Sequence, residues 1–222
     1  MKGYVLLIAF FILLNLVFIG EQEPFYNVQA VLVPFSLETG RILIGRFFLT
    51  ISLFVVYLSK INYCLDEQFN MLTTILTRIN VKKSIFKLSV YTVREIGIFI
   101  VINTVINIIF SQAQGFENVW LFVGLTLSLL ITCLIWIEVV SLLKLYQMAS
   151  KFIYLGFIFF ISLSVLLSNQ LPVVTLFLPG TIAFLEHPSL WILYKLTLLI
   201  CLILIKRLKL MKFEYLGGRN DD

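Results

Sequence analysis

Six apolar blocks, each near the length of a bilayer crossing, constrain this chain more than any other feature of its sequence. They cover residues 4–19, 42–59, 96–110, 119–143, 152–167 and 190–205. The only polar breaks of note inside them are Asn15, Arg46, the pair Asn103 and Asn107, Glu138 and Lys195. A helix needs about 20 predominantly apolar residues to cross a hydrocarbon core of about 30 Å. Backbone groups in lipid must bond within their own segment, and the blocks show no period-two alternation, which favours helices over a barrel. The expected fold is all-α: one polytopic domain over residues 1–222 with six transmembrane helices. Composition excludes an ordinary soluble domain, because only 13% of residues are charged, against about 25% in soluble proteins. The mean hydropathy of +1.03 agrees.

Lys2 followed by an apolar run also resembles a secretory signal. The run is longer than a usual signal core, and Phe18 stands where a small residue would precede a cleavage site at Gly20, so it reads as a retained helix. Alternating six helices puts all but Arg41, Arg46 and Lys195 of the 17 basic residues on one side. The positive-inside rule makes that side cytoplasmic, with both termini, in a multi-pass protein of the cell membrane. The net charge of +5 is then a topology signal facing anionic lipid headgroups, and no basic stripe with interleaved aromatics suggests nucleic acid. Cys64, Cys133 and Cys201 are not at disulfide or zinc spacing and read as packing residues.

The connecting segments are unequal. Between the second and third blocks lies a long excursion in which Leu65, Phe69, Leu72, Ile75, Leu76 and Ile79 recur at three- and four-residue spacing. This predicts an amphipathic helix beginning at Asp66-Glu67, followed by a basic turn through Lys82, Lys83 and Lys87. Such a helix lies in the headgroup layer or docks in a groove of a partner. Before the last block, residues 171–179 form a short apolar stretch bounded by Pro172 and Pro179-Gly180, which suits either a re-entrant segment or a hydrophobic loop packed on the helix ends.

The string Leu76-Thr77-Arg78-Ile79-Asn80-Val81-Lys82-Lys83-Ser84-Ile85-Phe86-Lys87 resembles the coupling-helix region of ABC-2-type ABC transporter permeases, and the layout of the six helices is similar to theirs. The motif covers about a dozen residues; the layout covers nearly the whole chain. The resemblance implies a permease dimer, of two like or unlike chains, resting its coupling helices on cytoplasmic P-loop ATPase subunits. This chain has no phosphate-binding loop, so ATP and magnesium are expected on the partner, with no cofactor bound here. Phe69, Leu72, Leu76 and Ile79 would supply docking area, and Arg78, Lys82 and Lys83 orienting charges. Small permeases of this kind resemble those of Gram-positive peptide and bacteriocin exporters, which implies an amphipathic, peptide-like cargo. Lipid or drug export, or a non-transporting immunity or sensor role, is the alternative.

Charges inside a membrane segment are functional candidates. Glu138 is expected to pair with Arg94 or Lys144, to serve as a gate, or to touch substrate. Arg46 and Lys195 are expected to snorkel toward headgroups or to meet Glu38 and Glu186. Asn103 and Asn107 share a helix face and would line a pathway or bond neighbouring helices. Trp120, Trp136 and Trp191 are expected as interface anchors. An enzyme is not expected: the single histidine, His187, sits in a His-Pro turn, and neither a catalytic motif nor a metal-ligand set is present.

Overall fold

The computed structural model describes residues 5, 8–13, 44–75, 81–112, 119–146, 148–167 and 170–217. The described residues are helical apart from short turns. Helix α1 is described over 8–13, α2 is Ile44–Ile75, α3 Val81–Gln112, α4 Val119–Leu145 and α5 Ser150–Leu167. A 3₁₀ turn, Pro172–Leu176, and the short α6, Ile182–Glu186, lead into α7, Pro188–Gly217. Among the described residues four helical stretches are long and apolar enough to cross a bilayer: Val90–Ile109, Phe122–Leu145, Ser150–Leu167 and Pro188–Lys209. The chain is thus a helical, multi-pass membrane protein.

Helix α4 is apolar on every side, and a helix of that kind is surrounded. It packs against α2, α3, α5 and, most extensively, α7, and 61% of its membrane stretch is buried, against 11% for α7. Aromatic edges join the layers: Phe54 of α2 meets Trp136 of α4 at 5.4 Å, and Trp136 meets Phe157 of α5 at 6.2 Å. Without a hydrophobic driving force between helices in lipid, such close contacts carry much of the cohesion, about 0.5–1.5 kcal/mol for each aromatic pair. Phe11 of α1 is fully buried against Tyr57 of α2.

One expectation changes. The amphipathic stretch from Leu65 is not a separate helix but the continuation of α2, and the basic stretch from Val81 already belongs to α3. The physical reason is the absence of any Gly or Pro from Phe47 to Ile75, so nothing stops α2 where its apolar block ends. Each helix has 32 residues, about 48 Å at 1.5 Å per residue, and overshoots a 30 Å core by about 18 Å. Residues 171–180 contain a 3₁₀ turn: Pro172 opens it, Val174 N–H donates to Leu171 O, and Phe177 N–H to Val174 O. Their neighbours include α5 and α7.

Candidate functional site: a carbonyl clasp and a belt of ion pairs

The end of the bundle that carries this loop is organised by one cation. The Lys195 ammonium on α7 is fully buried and donates to Leu178 O at 2.6 Å, Ser128 Oγ at 2.6 Å and Thr132 Oγ1 at 3.0 Å. Those are all three donors a lysine has. Ser128 in turn donates to Pro179 O at 2.5 Å, and Trp136 Nε1 donates to Phe177 O at 3.1 Å. The three consecutive carbonyls 177–179 are therefore each received by a side chain of α4 or α7. The face of Phe184 lies 5.3 Å from the ammonium.

Local chemistry sets up the loop. Thr175 and Thr181 share a hydroxyl hydrogen bond at 2.8 Å, which closes the turn. Thr181 also accepts from Phe184 N–H at 3.2 Å, capping the start of α6. Pro188, which lacks an N–H, stands at the first position of α7, where that donor has no helical partner anyway. Ser128, Thr132 and Trp136 recur every four residues and so form one polar stripe along α4.

On the basic side of this clasp, beginning at Glu138 two residues past Trp136, the charges are paired. Lys206 of α7 meets Glu138 of α4 at 2.5 Å, and Lys60 of α2 meets Glu95 of α3 at 3.1 Å, with Arg94 beside it at 3.3 Å. Lys144 of α4 binds Asp66 of α2, which also accepts from Ser150 of α5 at 2.5 Å. Ser59 and Tyr154 join α2 to α5 at 2.8 Å. The ion pairs thereby join α4 to α7, α2 to α3 and α2 to α4. Nearby, burial pushes the Cys64 thiol up from its ordinary value, which keeps it protonated and unreactive.

Lys195 accordingly does not snorkel: it is fully buried, and its three donors are taken by α4 and the loop. Glu138 pairs with neither Arg94 nor Lys144; the register of α4 on α7 brings Lys206 to it instead. Trp136 is a buried core residue, whereas Trp120, 85% exposed, and the half-buried Trp191 stand at helix starts. Asn103 and Asn107 are buried on α3, and Asn107 Nδ2 donates to Asn103 Oδ1 at 3.4 Å. Leu76, Arg78 and Ile79 lie outside the described residues, as does Glu38. Phe69, Leu72, Lys82, Lys83 and Arg46 lie on described helices, with their side chains outside the description.

Sequence reasoning missed Ser128 and Thr132; their four-residue spacing with Trp136, opposite a lone lysine in another apolar helix, was the available signal. Among the described residues no group of three His, Cys, Asp or Glu side chains is placed to hold a metal. The arrangement holds a segment of chain by its carbonyls. The chain matches no protein-family model, no curated protein and no solved structure.

Proposed function

We propose that the chain is the membrane subunit of an ATP-driven exporter, its termini and the α2–α3 tip on the cytoplasmic side and six helices crossing the bilayer. The observation that carries this reading is the overshoot of α2 and α3. Both helices extend beyond bilayer length at the basic end, and residues 76–80 connect them there, within the string that resembles an ABC-2 coupling region. A projecting hairpin offers a separate P-loop ATPase, carrying ATP and magnesium, a lever rooted in the ion-pair belt. A second permease subunit completes the pathway, and the cargo is an amphipathic peptide leaving the cytoplasm or inner leaflet.

The test is copurification in mild detergent. A stoichiometric P-loop ATPase is expected with the wild-type chain, and its loss is expected in the Phe69→Asp, Leu76→Asp double variant. A chain that purifies alone, even after crosslinking at Arg78, would contradict the reading. One observation favours the alternative of an immunity or sensor subunit: Glu138 and Lys195 are both engaged within the chain, so neither lines an open path. Reconstituted complex whose ATPase rate rises with amphipathic peptides supports export. An unresponsive complex supports the sensor.

A further inference from the structure

Tyr57 of α2 and Asn107 of α3 each bury a polar atom that has no hydrogen-bond partner among the described residues: the phenol Oη of the one and the amide Oδ1 of the other. Tyr57 is fully buried, and Asn103 and Asn107 are each 4% exposed. The three belong to one cluster. From α3, Asn103 comes up to the Tyr57 hydroxyl without completing a hydrogen bond. Asn107 Nδ2 donates to Asn103 Oδ1 at 3.4 Å, looser than the usual spacing of about 2.9 Å. Around them the packing is apolar: the Tyr57 ring lies 6.4 Å from that of Phe11 and 6.3 Å, edge-on, from that of Phe99. The buried Cys133 of α4 is near enough to act on the phenol as well.

An unpartnered hydroxyl or amide oxygen in such surroundings is costly, the more so inside a bilayer that bulk water does not reach. Here one orphan is an O–H donor and the other an acceptor, so together they are complementary to a molecule that both accepts and donates. None of the three side chains is ionisable to a charged form at neutral pH, which favours a small neutral ligand over an ion. The nearest ion pair toward the basic end, Lys60 with Glu95 at 3.1 Å, lies three residues past Tyr57 on α2 and eight before Asn103 on α3. We propose that this cluster binds a water molecule between α2 and α3, which accepts from the Tyr57 hydroxyl and from Asn103 Nδ2 and donates to Asn107 Oδ1. Three bonds are the usual number for a buried water, and a polar contact too loose to close directly is where one bridges. The bridge lengthens the joint that Lys60 and Glu95 make between the same two helices. It goes beyond the export reading, since it requires neither an ATPase nor a transported cargo.

The test is water-edited solid-state NMR of the full chain in lipid bilayers. Trp136 Nε1–H serves as the dry reference, because it belongs to a fully buried residue and is already bonded to Phe177 O. Magnetisation from water is expected to reach the side-chain amides of Asn103 and Asn107 and to miss the indole. Tyr57→Phe keeps the ring and removes the hydroxyl, so transfer to both amides should drop sharply. Its unfolding midpoint should also fall by roughly 2–4 °C, as the loss of about one hydrogen bond implies for a chain of this size. Absence of transfer in the wild type, which a direct bond between Tyr57 and Asn103 would give, overturns the proposal. So does undiminished transfer in Tyr57→Phe, or a midpoint that rises, since a rise means that the hydroxyl is bonded to nothing. Should Tyr57→Phe fail to fold, the wild-type transfer decides alone. None of these outcomes bears on ATPase copurification, so the two readings fail separately.

Discussion

The two ends of this bundle handle buried charge by opposite means. Toward the basic end three acids each face a base: Glu138 with Lys206, Glu95 with Lys60, Asp66 with Lys144. At the loop end Lys195 faces two hydroxyls and a carbonyl. Paired charges lock helices together and are costly to break singly. A cation held by neutral oxygens, two on α4 and one in the loop, ties a segment that lacks helical restraint to the helices. The basic end is therefore a frame, and the loop end a clasp with one principal pin.

The largest effect should come from splitting a pair in the frame. Lys206→Met leaves Glu138 buried without its base and should cost on the order of 3 kcal/mol, read as a lowered unfolding midpoint in detergent. Replacing both partners by leucine should recover most of that loss. If the double variant were no better than the single one, the pairing account of the frame would fail. In the clasp, Trp136→Phe keeps the ring contacts but removes the donor to Phe177 O, at about 1 kcal/mol. Its effect should appear as faster exchange of amides in the loop rather than as general unfolding. The smallest effect belongs to Lys60→Gln, whose pair with Glu95 is partly open to solvent, and less than about 1 kcal/mol is expected. A change as large as that of Lys206→Met would erase the distinction between buried and bordering pairs.

The sequence made the helices legible because block length and apolarity are local properties. It showed equally well which residues were unusual: Glu138, Lys195, Asn103 and Asn107 all stand out against their helices. What each one touches was not legible. Glu138 had two nearer candidates by topology, and its choice of Lys206 depends on how far α4 and α7 slide past each other, which neither helix encodes alone. Lys195 looked like a snorkelling lysine because depth was judged along its own helix. The stripe Ser128, Thr132 and Trp136 on α4 makes the interior the shorter route. The extent of α2 was readable from the lack of a breaker after Ser59, yet the change from apolar to amphipathic composition suggested two elements. Helix continuity follows backbone propensity, whereas composition follows the surroundings, and at a membrane boundary the two part company.

The division into frame and clasp is tested most directly by hydrogen–deuterium exchange of Lys195→Met in nanodiscs. Removing the ammonium takes the donor from Leu178 O and the added bonds from Ser128 and Thr132, a loss of about 2 kcal/mol of local holding. Amides of residues 177–187 should then exchange roughly thirtyfold faster, with those of α2 near Asp66 and of α4 near Glu138 unchanged. Exchange that stays slow in the loop, or that rises equally at both ends, would contradict it.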